Sequence, residues 1–377
     1  MVTVASLHHI RLFYAAYFAA MGLVLPYFPV FLEQQGLDAG MIGLLTGLLA
    51  AAKVIAPPVA GHVLDRRTAH DSRSFVVVAA LLAAWLAWAF GAGQGVVVLA
   101  LCTFAFGLLW AAILPLTDGL SIAVSEVGIA DYGRLRLWGS IGFVIASLSG
   151  GVWLAGRHIG DFPGWLAAML LLTAVAAWGF PAHAPASSHS RTPASGRFPA
   201  SFMLLLLTAF LMQASHGAYY GFFSLYLAAN HYEGWQIGSF WVIGVLAEIV
   251  LMWLWSRRLQ EMAPAGLFVA CTLLAALRWL GIGLTTGMLL LVFLQLLHAA
   301  SFAAFHVGAV AWVRRLAPAG KQTLAQGWYS ALGFGLGNTV GIMACGLIVK
   351  LDGFSTAFFV CAGVALLASV PAWRIRP

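Results

Sequence analysis

Long apolar runs, each of bilayer-crossing length, alternate along this chain with short breaks of charge, Gly or Pro. A helical span takes about 20 mostly apolar residues, and such runs fall at 11–32, 41–63, 74–91, 96–120, 134–156, 163–181, 200–229, 236–256, 265–284, 287–312, 323–349 and 354–373. The pattern predicts about twelve transmembrane helices and an all-α integral membrane protein. Segments such as "FMLLLLTAFLM" (202–212) are almost continuously apolar. A membrane barrel strand would instead alternate apolar with polar positions over about ten residues. The first span runs directly into "LPYFPVFL" (25–32) with no small-residue cleavage site, so no cleavable leader is expected.

Composition agrees with the pattern: 62% of residues are hydrophobic and 8% charged, against roughly 25% charged in soluble domains. The net charge of +7 raises the question of an acidic partner such as nucleic acid. Its distribution answers otherwise. Basic residues from Arg11 through Arg66, Arg67, Arg134, Arg257, Arg314 and Arg376 fall in the same set of alternate loops and termini, and only Arg157 and Lys350 in the opposite set. The positive-inside rule then places both termini in the cytoplasm. Lys53 and Arg278 remain deep within spans. Cys102, Cys271, Cys345 and Cys361 lie in apolar segments without metal-ligand spacing, so packing is expected of them and no metal or cofactor.

Residues 182–198, "AHAPASSHSRTPASGRF", have linker composition. They divide the chain into an N-terminal bundle (1–181) and a C-terminal bundle (199–377), each with six spans. Each bundle carries a basic loop after its second span, "GHVLDRR" (61–67) and "LWSRRL" (254–259). Paired bundles around a midplane site suit alternating access.

"MGLVLPYFPVFL" (21–32), "DYGRLRLWGSIGF" (131–143), "VLAEI" (245–249), "LRWLGIG" (277–283) and "QLLHAASFAAFHVGA" (295–309) together resemble the major facilitator superfamily. The resemblance is to the branch containing lactose permease (the oligosaccharide/proton symporters) and phenylpropionate-transporter-like bacterial proteins. Asp65, Arg66 and Arg67 resemble a shortened form of the superfamily's gating-loop motif. The resemblance implies the two-bundle major facilitator fold and a monomer in a bacterial inner membrane. It also implies a small-molecule substrate carried with a proton, and no catalytic residues.

Asp118 closes the fourth span and Arg136 opens the fifth, so a short turn can bring them together. A carboxylate beside a guanidinium offers an acceptor and a donor fork to a substrate hydroxyl or carboxylate. A structural ion pair bracing the turn is the alternative. In the register of lactose permease, Arg136 falls on the sugar-binding arginine and Asp118 on its partner carboxylate. Phe143 replaces the tryptophan that stacks on the sugar, which removes the basis for galactoside specificity and puts aromatic or mixed substrates on at least an equal footing. Arg134 is expected to contact lipid headgroups or the loop. Lys53, on the second span, either binds an anionic substrate or snorkels to the interface.

Glu248, Arg278 and His298 are the candidates for proton coupling. A carboxylate in a low-dielectric cavity can hold a proton near neutrality and release it when an arginine approaches or the cavity hydrates. Arg278 and His298 match the family register, whereas Glu248 falls about one turn from the matching carboxylate. In that register Ser301 and Gln295 replace a carboxylate and a lysine, and Gln213, His216 and the residues around Asn338 replace further charges. Glu248 is then the one carboxylate well inside a C-terminal span. Its alternative is a structural bridge to Arg278. His298, and still more His306, can equally be packing residues.

A membrane enzyme would need a nucleophile-base pair or metal cluster, and the chain has no HExxH, Walker or GxSxG motif. Repeated pore elements and charged rings are missing too. A sensor of the same fold and an exporter stay open. An aromatic or other small carboxylate is the first expected substrate, then a sugar or nucleoside.

Overall fold

The computed structural model describes residues 4–64, 69–93, 95–155, 158–181 and 196–377. Asp65, Arg66 and Arg67, and most of the linker, lie outside the described residues. Every regular element among the described residues is helical. The helices are α1 (Val4–Gln34), α2 (Ala39–Leu64), α3 (Ala69–Ala89), α4 (Val96–Glu126), α5 (Tyr132–Trp153) and α6 (Phe162–Trp178), followed by α7 (Ala200–Ala214), α8 (Gly217–Ala229), α9 (Gly234–Glu261), α10 (Pro264–Leu284) and α11 (Met288–Leu296), then α12 (Phe305–Leu316), α13 (Gln322–Tyr329) and α14 (Asn338–Trp373).

Among the described residues, eleven helical stretches are long and apolar enough to cross a membrane. The last, Gln322–Trp373, has 52 residues, or roughly 78 Å at 1.5 Å per residue, against about 30 Å of hydrocarbon. Gly353 breaks it at φ 85° and ψ 176°, a conformation that glycine adopts without a Cβ penalty. The stretch therefore has the length for two crossings, which brings the number among the described residues to twelve. Large apolar side chains face outward, among them Trp85, Trp88, Trp178 and Trp373, each at least 63% exposed. Such outward apolar and indole surface suits hydrocarbon and the membrane interface.

The chain forms two compact units: residues 1–35, 55–189 and 233–238, and residues 36–54, 190–232 and 239–377. In the first, α1 packs along α5 and α6, and α3 along α4 and α6. The α1–α5 contact is made backbone to backbone. A Cβ on Gly142 would stand 2.0 Å from the Ala15 carbonyl oxygen, so only glycine permits this approach. In the second, α14 packs against α7, α8 and α10.

Three crossings of the second unit are interrupted. The seventh breaks at Ser215 and His216 between α7 and α8. The tenth and eleventh pass through π segments at Ala299–Ala304 and Ser330–Gly337. Such wide turns in helices occur frequently at functional sites. Buried polar residues gather at them: Gln213 and His216 at the first, His298 and Ser301 at the second, and Asn338 after the third.

Candidate functional site

In the first unit, Asp118 of α4 is the centre of a polar cluster. Tyr14 of α1 donates to its Oδ1 at 2.7 Å and also bonds the Ser121 hydroxyl at 3.0 Å. Tyr132, at the start of α5, reaches the same oxygen at 3.3 Å. Arg136 Nε stands 3.9 Å away, the two side chains 33% and 25% exposed. The sequence-predicted pair is thus brought together, with the Tyr14 phenol as the carboxylate's closer partner. Arg136 also lies over the ring of Phe18 at 4.1 Å and near that of Tyr14 at 5.4 Å, giving cation–π contact on one side. One third exposed, the guanidinium remains reachable from outside the cluster.

Phe143 is two turns further along α5 and only 4% exposed, its backbone close against Gly22. Tyr14, Ser121, Tyr132 and Phe18 were not singled out from the sequence. The available signal was the run "FYAAYF" (13–18), which places Tyr14 and Phe18 one turn apart on α1.

In the second unit, Arg278 of α10 is fully buried. Its guanidinium bonds His298 Nδ1 at 2.7 Å, the Gln295 side-chain oxygen, and the Ser301 hydroxyl at 3.4 Å. It lies 4.3 Å from the ring centre of Tyr219. His298 Nε2 in turn meets Glu248 Oε1 of α9 at 2.7 Å. All three predicted coupling residues therefore form one chain, in which the imidazole separates the carboxylate from the guanidinium. His306 hydrogen bonds the Tyr329 hydroxyl at 3.0 Å.

His216 bonds the Met212 carbonyl through Nδ1 at 2.8 Å, leaving Nε2 buried without a partner among the described residues, as are Gln213 Oε1 and Asn338 Oδ1. Lys53 belongs to this unit, is half-buried, and has no hydrogen bond or ion pair to another described residue. Of the aromatic run on the seventh crossing, Tyr219, Phe222 and Phe223 are core and Tyr220 is half-buried. Cys345 and Cys361 are free thiols with sulfurs 3.5 Å apart. Among the described residues no cluster of His, Cys, Asp and Glu has the makings of a metal site.

A helical fold of twelve crossings with buried polar groups at interrupted helices is the architecture of a polytopic membrane protein, and the comparisons give its class. Residues 7–360 match the MFS_1 like family, and the chain belongs to it. It is 31% identical, over 99% of its length and 97% of the relative's, to the probable 3-phenylpropionic acid transporter of Escherichia coli (strain K12). It is 29% identical, over 86% of this chain and 83% of the relative, to the maltose permease of Geobacillus stearothermophilus. The crystal structure of the nucleoside transporter NupG superposes with a TM-score of 0.83, covering 98% of both chains at 16% identity. The protein is a multi-pass membrane protein and a secondary transporter of the major facilitator type.

Proposed function

We propose that this transporter imports a small aromatic carboxylate together with a proton, as a monomer in a bacterial inner membrane with both termini in the cytoplasm. The bundles 1–181 and 199–377 act as the alternating halves, and Asp65, Arg66 and Arg67 serve as the gating loop between crossings two and three. Asp118, Arg136 and Phe143 are the substrate-binding residues of the first unit, and Lys53 is, by itself, a cation for an anionic substrate. One proton moving with one monocarboxylate transfers no net charge.

The observation that carries the reading is the Glu248–His298–Arg278 chain, which holds a carboxylate ready for a proton within a span. The probable 3-phenylpropionic acid transporter, similar over nearly the whole length, supports the choice of substrate. The maltose permease favours a sugar as the second reading, and a neutral sugar would make no demand on Lys53.

Thermal stability of the purified protein against a panel of aromatic acids, sugars and nucleosides tests this. A solute that binds only the native state raises the melting temperature by mass action. Stabilisation by 3-phenylpropionate that Arg136→Ala abolishes is the expected outcome. Stabilisation by sugars alone contradicts it.

A further inference from the structure

A second cationic feature of the first unit is unused by the transport reading. A cavity of about 500 Å³ lies where α1 passes the connection between α4 and α5, and Arg11 and Arg134 both line it. Neither guanidinium has a hydrogen bond or ion pair to another described residue. The one carboxylate in the lining, Asp131, is engaged with the backbone, accepting from the Arg134 amide at 2.8 Å as it caps α5. Ser125 Oγ, the lining's hydroxyl, accepts from the Tyr132 amide at 3.4 Å. The cavity thus sets two guanidinium cations against a single carboxylate, a lining of net positive charge. The rest of the lining includes Leu7, Ile129 and Leu135.

Its position identifies the ligand. The lining lies at the end of α4 and the beginning of α5, where apolar span gives way to loop, so charge and hydrocarbon contact meet in one place. We propose that this cavity holds the headgroup of an anionic phospholipid, the phosphate between Arg11 and Arg134 and the first acyl carbons against Leu7 and Ile129. A free anion matches the two arginines but leaves the apolar wall unused. On the positive-inside assignment, the cavity opens to the cytoplasmic leaflet, where anionic lipids attract basic groups. Asp118 and Arg136 are not part of the lining, so the site is separate from the substrate cluster and does not depend on it.

The test is native mass spectrometry of the full chain, delipidated in detergent and re-equilibrated with phosphatidylglycerol or phosphatidylcholine. The wild type is expected to retain phosphatidylglycerol selectively. Arg11→Gln/Arg134→Gln is expected to lose that retention roughly tenfold or more. Arg134→Gln alone removes an exposed side chain, puts folding at little risk, and is expected to lose part of it. Arg257→Gln/Arg258→Gln makes the same charge change on α9 and is expected to behave as the wild type. Equal retention by all these proteins overturns the site. Displacement of the lipid by millimolar inorganic phosphate overturns the lipid assignment in favour of a free anion.

Discussion

His298 stands between Arg278 and Glu248, with Nδ1 2.7 Å from Arg278 Nη1 and Nε2 2.7 Å from Glu248 Oε1. A guanidinium only donates. Nδ1 must therefore accept, the ring hydrogen resides on Nε2, and it points at the carboxylate. The imidazole is held neutral in one tautomer for as long as Arg278 stays in place. Glu248 retains a second oxygen that makes no hydrogen bond to the described residues, so a proton can be taken there without breaking the chain. On the proposed proton-coupled function, Glu248 is the residue that would carry the proton and His298 the one that would orient it.

Affinity for the solute is expected to depend on the Asp118 cluster. Asp118→Ala and Arg136→Ala should each weaken substrate binding about tenfold or more, a loss of about 1.4 kcal/mol. Tyr14→Phe removes a bond to a charged oxygen, worth about 1.5–3 kcal/mol in such settings, and should weaken binding by freeing the carboxylate to turn away. Titration calorimetry with 3-phenylpropionate measures all three. Unchanged affinity in the Asp118 and Arg136 variants contradicts the assignment.

Lys53 is expected to read charge. Lys53→Met should reduce affinity for 3-phenylpropionate while leaving its neutral amide unaffected, because only the acid offers a charge-assisted bond. An equal loss for acid and amide would indicate a structural role for the lysine.

The α1–α5 contact sets a stability prediction. Gly142→Ala drives a methyl into the Ala15 carbonyl and should cost about 1–3 kcal/mol, as overpacking does. Gly164→Ala, where a Cβ meets nothing within 4 Å, serves as the control. Melting temperatures in detergent should fall for the first and hold for the second. Two equal values would refute the close approach.

Outside the spans, Asp38 joins Lys350 at 2.9 Å within the second unit. The bond from Lys350, then that from the Met41 amide, holds the Asp38 carboxyl below its ordinary 3.8. A lowered carboxylate stabilises the fold above its unfolded pKa and loses that contribution as pH falls through the folded one. Asp38→Asn should therefore melt slightly below the wild type at neutral pH, and the gap should close on acidification below about 4. A gap that persists or widens in acid contradicts the sign. The exposed pair should also weaken with salt.

The spans were readable because bilayer thickness imposes a length on every apolar run. Their ends were less so: α1 continues to Gln34 and α4 to Glu126, since helices project beyond the hydrocarbon. The meeting of Asp118 and Arg136 was legible through the short turn between their spans. Tyr14 was not, being 104 residues from its partner on a helix whose facing residues only packing determines. Glu248 and Arg278 were legible as residues of one cluster, but the imidazole between them was not, because sequence spacing carries no information on which side chain occupies the middle.

The most direct test is accumulation of radiolabelled 3-phenylpropionate by proteoliposomes under an imposed inward proton gradient, comparing wild type with Glu248→Gln. The wild type should concentrate the solute and stop when a protonophore is added. Glu248→Gln should fail to concentrate it yet still exchange internal for external solute. Full accumulation by the variant, or wild-type uptake indifferent to the protonophore, would contradict proton coupling through Glu248.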